Sequence, residues 1–231
     1  MQDIKKQMHE KYAAYEHSSC FVEGHLGGCG VEGDTATHHP IMWKHLISKF
    51  KINSVLDVGC GFGYSLNFFK ELGCEILGVE GSEKVIELSP LKENIVHVDY
   101  TQKDFVPDKV YDLCWSCEFV EHVSEEFVPR FISTFKQSKF LAMTFAAVGQ
   151  GGHHHVNENC QEYWIKQLEN KGFKFEKETT EELRLKAYED FKNPCSPVQG
   201  SDHDKLCKEG KWNYPHHFIE RGLFFSNASS L

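Results

Sequence analysis

The stretch VLDVGCGFGYS, residues 55–65, limits the possible folds more than any other part of this chain. A short apolar run with Val and Leu reads as a buried strand, and GYSLNFFKELG directly after it reads as an amphipathic helix. Between them, Gly59, Gly61 and Gly63 let the backbone turn sharply and come close to a ligand with no Cβ in the way. The first N–H groups of the following helix have no partner inside that helix and face the same ligand. A strand, a glycine turn and a helix in this order open a βαβ unit that binds something nucleotide-like.

The next strand-like run, ILGVEGS, ends in Glu80, Gly81 and Ser82 about twenty residues on. A carboxylate there can accept hydrogen bonds from both hydroxyls of a ribose. NAD sites use a similar acid, but this turn reads D-x-G-C-G-x-G, with Asp57 two residues before Gly59 and Cys60 inside the turn. A carboxylate at that place repels a pyrophosphate and suits a ligand with a cationic part. S-adenosylmethionine carries an ammonium and a sulfonium.

The alternation continues along the chain: a short helix near SEKVIELS, strands NIVHVD and VYDLCWS, a helix from about Ser124 to Gln137, and strand KFLAMTFA. Strands separated by helical spans predict right-handed βαβ units and a doubly wound α/β sheet with helices on both faces. Ahead of it, a polar helical stretch, a glycine-rich loop and a helix opened by Pro40 form a cap over residues 1–50. Behind it come the helix CQEYWIKQLENKGF, ended by Gly172, the run KFEKET, a long polar excursion and the apolar strand RGLFFSN. The excursion is a candidate lid or substrate loop. The 231 residues are expected to form one domain, with the cap at 1–50, a cofactor-binding half at 51–150 and an acceptor-side half at 151–231.

VLDVGCGFG, GVEGS, HVDY and YDLCWSCEFVEHV together resemble successive motifs of class I S-adenosylmethionine-dependent methyltransferases, over about residues 54 to 145. The resemblance implies a Rossmann-like, seven-stranded, mostly parallel sheet and S-adenosyl-L-methionine as cofactor. It implies that Asp57, Gly59, Cys60, Gly61 and Gly63 line the methionine side and that Glu80, with Gly81 and Ser82, holds the ribose. It puts Asp99 and Tyr100 near the adenine, and Trp115 and Ser116 beside the transferred methyl. Taken singly, Asp57 also reads as a helix cap, Glu80 as a solvated strand end, Asp99 as a turn former and Trp115 as core. Taken together, they fall at the carboxyl ends of consecutive strands, where open α/β sheets bind ligands.

EFVEH follows the fourth strand of this pattern. Glu118, Glu121 and His122 are spaced i, i+3, i+4 and would share one face of a helical turn. This E-x-x-E-H pattern resembles that of metal-dependent O-methyltransferases, among them small-RNA 2′-O-methyltransferases and some ubiquinone-pathway enzymes. The resemblance implies that the carboxylates and imidazole hold Mg²⁺ or Mn²⁺. His153, His154 and His155 follow the fifth strand, and the ends of parallel strands open on one rim, so His154 or His155 can complete the set. Two carboxylates with one or two imidazoles and open positions suit these cations better than a closed zinc site. The metal-free reading makes His122 a base or a packing residue. The catalytic candidates are Glu118, Glu121, His122 and His155.

The remaining features bear on acceptor and setting. The segment GGHHHVNENCQEYWIKQLENKGF is similar to one in small methyltransferase domains linked to glycan and sugar modification, which points to a sugar hydroxyl. A formal net charge of −9 argues against an RNA ribose gripped by a basic surface, and a non-catalytic cofactor-binding subunit is the reading from another class. Phe21, His25, His38, His39, Trp212, Tyr214, His216 and His217 are compatible with stacking on a sugar ring or with loop packing. The 9 cysteines are scattered, and Cys114 and Cys117, spaced C-x-x-C, lie in a strand-like run and read as buried thiols. With no apolar run of membrane length and no leader-like start, a soluble cytoplasmic protein is expected. The sequence leaves the oligomeric state open.

Overall fold

The computed structural model describes residues 20–22, 24–30, 34, 36–193, 202–209 and 217–228. A small antiparallel hairpin comes first, β1 (Cys20–Val22) with β2 (Gly28–Gly30). The helix α1 (Pro40–Phe50) leads into the main sheet. That sheet takes β3 (Ser54–Val58), β4 (Glu75–Glu80), β5 (Ile95–His97), β6 (Tyr111–Ser116), β7 (Ser138–Met143), β8 (Phe173–Phe175) and β9 (Leu223–Asn227). Its order is β5-β4-β3-β6-β7-β9-β8. The first five of these pair in parallel, while β9 runs antiparallel to both β7 and β8. The seven-stranded, mostly parallel, doubly wound α/β fold expected from the sequence is therefore the observed one.

Helices α2 (Tyr64–Glu71), α3 (Glu83–Leu88), α4 (Val128–Phe135), α5 (Gln161–Glu169), α6 (Lys177–Lys192), α7 (Asp202–Lys208) and α8 (His217–Arg221) complete the described elements. Successive strand residues point to opposite faces, and each face is buried in its own core. On one side Val55, Leu113, Trp115, Ala142 and Phe224 pack with Trp43 and Leu46 of α1, Phe69 of α2, Leu183 and Ala187 of α6 and Phe218 of α8. On the other, Leu56, Val58, Cys114, Leu141, Met143 and Phe225 pack with Phe131 and Phe135 of α4 and Trp164 and Leu168 of α5. Cys114 is thus sealed in one core, whereas Cys117 packs against the other. Burial pushes both thiols up, and the C-x-x-C spacing makes no pair.

The structure differs from expectation at KFEKET. Only Phe173–Phe175 is strand; from Lys177 the chain is helical through Lys192 as α6, so the polar excursion begins only after this helix. This helix presents Thr180, Leu183, Ala187, Asp190 and Phe191 inward, a sparse apolar stripe among many charges. Most of the polar excursion (194–201 and 210–216) and the N-terminal stretch 1–19 lie outside the described residues.

The α6 helix also anchors α1. Pro40 opens α1 and no local side chain caps it. Instead the buried carboxylate of Asp190 accepts from the backbone N–H groups of Ile41 and Met42, at 2.8 and 3.1 Å. A carboxylate at a helix N-terminus satisfies free donors and meets the positive end of the dipole. Burial nevertheless raises its pKa to about 7, against those two bonds. Asp190→Ala should destabilise the protein by about 1–2 kcal/mol, a fall of roughly 2–8 °C in Tm. Asp190→Asn keeps one acceptor and should lose less than half of that. Thermal melts of the two variants beside the parent check this order.

Candidate active site

A cleft of about 720 Å³, counting its open mouth, lies along the carboxyl ends of β3, β4, β5 and β6. That is room for a nucleoside-sized ligand. The glycine turn after β3 forms its floor. Gly59, Gly61 and Gly63 take φ of 78°, 54° and 82°, which other residues rarely adopt. The turn is pinned to β4, because the N–H groups of Gly59 and Cys60 both donate to Val79 O. At Gly59 a Cβ would stand 2.7 Å from Phe119, so the close approach of these two needs glycine.

Glu80 holds the turn from the other side. Its Oε2 accepts from Gly61 N–H and its Oε1 from Ser82 N–H, each at 2.9 Å. Each carboxylate oxygen has a second lone pair, so both can still accept from a ribose. Ser82 caps α3 by accepting from Val85 N–H. Asp99 accepts from the N–H and hydroxyl of Thr101 and meets His25 Nε2 at 2.9 Å.

Of the twelve cofactor residues expected from the sequence, Gly59, Gly61, Glu80, Gly81, Ser82, Asp99 and Tyr100 line this cleft. Cys60, Gly63, Asp57, Trp115 and Ser116 are not among its lining residues. Asp57 is buried and accepts from the hydroxyl of Ser65; burial, opposed by that bond and aided by Glu80, raises its pKa to about 7. Trp115 is stacked on Phe218 inside the core, and the Ser116 hydroxyl donates to Val58 O. Both therefore differ from the methyl-bordering role expected of them. Strand alternation turns Trp115 into one core, and the backbone of β3 takes up the hydroxyl of Ser116. Sequence reading missed Leu26, Gly27, Phe119 and Val123, which also line the cleft, and offered His25, another lining residue, only for sugar stacking or loop packing. His25 to Gly27 come from the hairpin turn before the sheet, where no periodic pattern marks them.

EFVEH does not form one helical face. Glu118 has φ of 51° and stands before a single 3₁₀ turn, Val120–His122. Its N–H donates to Thr144 Oγ1 at 2.8 Å, and the Thr144 hydroxyl donates to Glu118 Oε1 at 3.1 Å. His217 of α8 meets Glu118 Oε2 at 3.2 Å through Nδ1, and Arg221 Nη2 lies 2.8 Å from the same nitrogen. Glu118 is thus turned toward α8, a neighbour that sequence reading did not give it.

Glu121, His122 and His155 do come together: one ligand atom from each lies within 4.8 Å of the others. The loop after β7 explains this, since Val156 and Asn157 N–H both donate to Glu121 O and Asn157 Nδ2 donates to Val123 O. His122 Nδ1 faces His154 O at 3.2 Å, and His155 Nδ1 faces Glu158 Oε1 at 3.3 Å. Acceptors at both Nδ1 atoms favour the tautomer that leaves each Nε2 a free lone pair, the usual arrangement around a ligating imidazole. His154 differs from expectation. It has φ of 53° and supplies its carbonyl, and its ring is outside the ligand group. Glu118 is also outside it.

The electrostatics of this corner suit a cation. Both oxygens of Glu121 are buried and, among the described residues, meet no partner but the neighbouring carboxyl of Glu118. Burial pushes Glu118 and Glu121 up, the second more because the first stands beside it; Arg221 pulls both down. Burial, with His155 next to it, lowers His122 to about 4, so its imidazole is neutral and can ligate. Two carboxylates share one guanidinium that Glu220 also pairs with, at 2.9 Å. A divalent ion at Glu121, His122 and His155 would meet a carboxylate and two imidazoles with open positions, a set that suits Mn²⁺, Fe²⁺ or a catalytic Zn²⁺ better than the oxygen-seeking Mg²⁺.

Residues 56–138 match the family model described as a methyltransferase domain. The ubiquinone biosynthesis O-methyltransferase of Pelagibacter ubique is 31% identical over 96 residues, which cover 36% of this chain and 40% of that protein. Its counterpart in Mesorhizobium japonicum is 36% identical over 77 residues, 31% of each. The match thus spans less than half the length of these curated relatives. Among solved structures, magnesium protoporphyrin IX methyltransferase from Synechocystis PCC 6803 with bound SAM is similar at 19% identity and a TM-score of 0.47, over 59% of this chain and 66% of that one. The match to a methyltransferase domain is therefore confined to residues 56–138, which hold β3 to β6 and the glycine turn. No described helix is long and apolar enough to cross a membrane.

Buried acids with raised pKa keep a proton in the folded state after the unfolded chain has lost it, so they stabilise at low pH and that stability is lost as pH rises through the folded pKa. Asp57, Glu118 and Asp190, at about 7, carry this window from the ordinary carboxylate range up to about pH 7, and Glu121 is raised in the same direction. His38 and His122, lowered to about 4, act oppositely but only between about 4 and 6.5. The metal-free protein should therefore lose Tm from pH 6.5 to 7.5, once the opposing histidines have titrated, and Asp57→Asn should flatten the fall. Scanning calorimetry across that range tests both signs.

Proposed function

We propose that this chain is an S-adenosylmethionine-dependent O-methyltransferase that acts on a hydroxyl of a sugar or glycan, assisted by a divalent cation such as Mn²⁺. The observation that carries the reading is the joining of two sites at one rim: Glu118 and His122 line the glycine-floored cleft and also border the Glu121, His122 and His155 group. S-adenosylmethionine, when bound, would supply a methyl on a sulfonium: the S–CH₃ bond breaks to leave the neutral thioether as the O–CH₃ bond forms and the hydroxyl gives up its proton. A divalent cation lowers the pKa of a hydroxyl that it binds.

The chain's own residues do the rest. Gly59 and Gly61 admit the methionine part, Glu80 accepts from the ribose hydroxyls, and Asp99 and Tyr100 bound the adenine end. Asp57, bonded to Ser65 beneath the turn, sets a negative charge below the cationic end of the ligand. Glu121, His122 and His155 hold the cation. Glu118, fixed by Thr144 and His217, is the carboxylate best set to orient the acceptor hydroxyl and receive its proton.

A sugar hydroxyl fits this rim because Glu118, backed by the polar group of Asp34, His217 and Arg221, faces the cleft with a carboxylate that can accept from it. The second reading is another small-molecule acceptor, favoured by the curated relatives being named for O-methylation in ubiquinone biosynthesis. An RNA ribose fits less well, because the site adds carboxylates to a chain of formal net charge −9. A screen with labelled S-adenosylmethionine against sugars, glycans, catechols and short RNAs separates these acceptors. The expected result is label in a sugar, lost with EDTA and restored by Mn²⁺. Glu121→Ala and His155→Ala should each lower kcat by roughly 10²–10⁴-fold. Activity unchanged by EDTA and by both variants would sink the metal; ligand binding with no acceptor ever labelled would favour a non-catalytic subunit.

A further inference from the structure

We infer that the hairpin turn at residues 24–28 is the roof of the adenosyl site, with His25 and Leu26 as cofactor-positioning residues at its adenine and ribose ends. The inference rests on the cleft being the S-adenosylmethionine site, and it goes beyond the matched domain, which begins only at residue 56.

The turn is held over the cleft at three points. His25 Nε2 meets Asp99 Oδ2 at 2.9 Å, a contact 74 residues apart in sequence. Leu26 packs on Gly81: a Cβ at position 81 would stand 3.0 Å from Leu26 Cδ2. Gly27, buried and with φ of 80°, lies against His122 so closely that its own Cβ would be 2.7 Å from His122 Nδ1. These contacts follow the cleft from Asp99, through Gly81 beside Glu80, to His122 at the acceptor side, and His25 to Gly28 all line it.

Each residue has a definite task. Asp99 already gives Oδ1 to the N–H and hydroxyl of Thr101, so the bond to His25 on Oδ2 fixes the direction of its carboxylate. An imidazole at that place also offers a flat edge to a purine. Leu26 covers the sugar end with apolar surface, which excludes water from the bonds that Glu80 would make. Gly27 lets the roof pass over His122 without displacing it. A surface ion pair such as His25–Asp99 is worth little for folding. Its value lies in ordering a site, and His25→Ala should leave Tm unchanged.

The test is calorimetric titration of S-adenosylhomocysteine into the full chain and into His25→Ala, Leu26→Ala and Leu88→Ala, the last an exposed apolar residue on α3 away from the roof. We expect Kd to rise roughly 3–10-fold in the first two variants and to stay at the parental value in the third. Hydrogen exchange of the unmutated protein gives a second measurement free of folding defects: the amides of residues 24–28 should exchange more slowly with S-adenosylhomocysteine bound. Parental Kd in both roof variants, or no protection of the turn, overturns the inference alone. A parental protein that binds no S-adenosylhomocysteine overturns the methyltransferase reading and this inference with it.

Discussion

A sheet buried on both faces can meet a ligand only at its rims, and parallel pairing sends the carboxyl ends of β3, β4, β5, β6 and β7 to one of them. Everything chemical in this molecule depends on that alignment. The glycine turn, Glu80, Asp99, Glu118 and the loop bearing His155 each follow a different strand, yet they share one edge. The register is fixed by two cores rather than one. Slipping a strand by one residue would exchange Val55, Leu113 and Phe224 with Leu56, Cys114 and Phe225 between faces of different shape.

The two ends of the rim are built differently. The cofactor end is local: Gly59 to Gly63, Glu80 to Ser82 and Asp99 to Thr101 lie directly after consecutive strands, within short βα connections. The acceptor end is assembled from distant pieces. Glu118 finds Thr144 and His217, and Glu121 finds His155 because the backbone of the loop after β7 bonds to its carbonyl. The family match over residues 56–138 takes in the first construction and Glu118 to His122, but stops before Thr144, His155 and His217, the distant pieces of the second. Acceptor choice can therefore vary on an unchanged cofactor platform.

This division explains what was legible in the sequence. Period-two apolar runs and glycine punctuation marked the strands and the cofactor turn, because those signals are local. α6 was unread because KETTEELRLKAYEDFK is dominated by charges and its buried side is a thin stripe facing α1. EFVEH was placed at the right strand end but given the wrong geometry. Spacing of i, i+3, i+4 describes a regular helix, whereas Glu118 sits at positive φ, outside the turn that carries Glu121 and His122. Of the three consecutive histidines, only His155 joins the ligand group; positive φ at His154 turns the chain, so the run spreads its imidazoles in different directions. His25 could be named as a polar loop residue but not given Asp99 as its partner, since no periodicity links positions 74 apart.

The buried carboxylates show why such a rim holds only as part of a working site. Among the described residues the oxygens of Glu121 meet no partner but the neighbouring carboxyl of Glu118, and the two share one guanidinium. Removing a carboxylate from water without a partner costs several kcal/mol, and a second one nearby adds repulsion. Hydrophobic burial on both sheet faces supplies stability that tolerates this penalty, but it does not explain why the charges are there. Under the proposed function a cation would: it would take the place of the protons that burial keeps on these acids, use the free lone pairs of His122 and His155, and sit where the cleft meets the acceptor side. The roof turn reaches that same place through Gly27. Hence the strain of the site, the ligand it calls for and the contact that closes the cofactor cleft converge on His122.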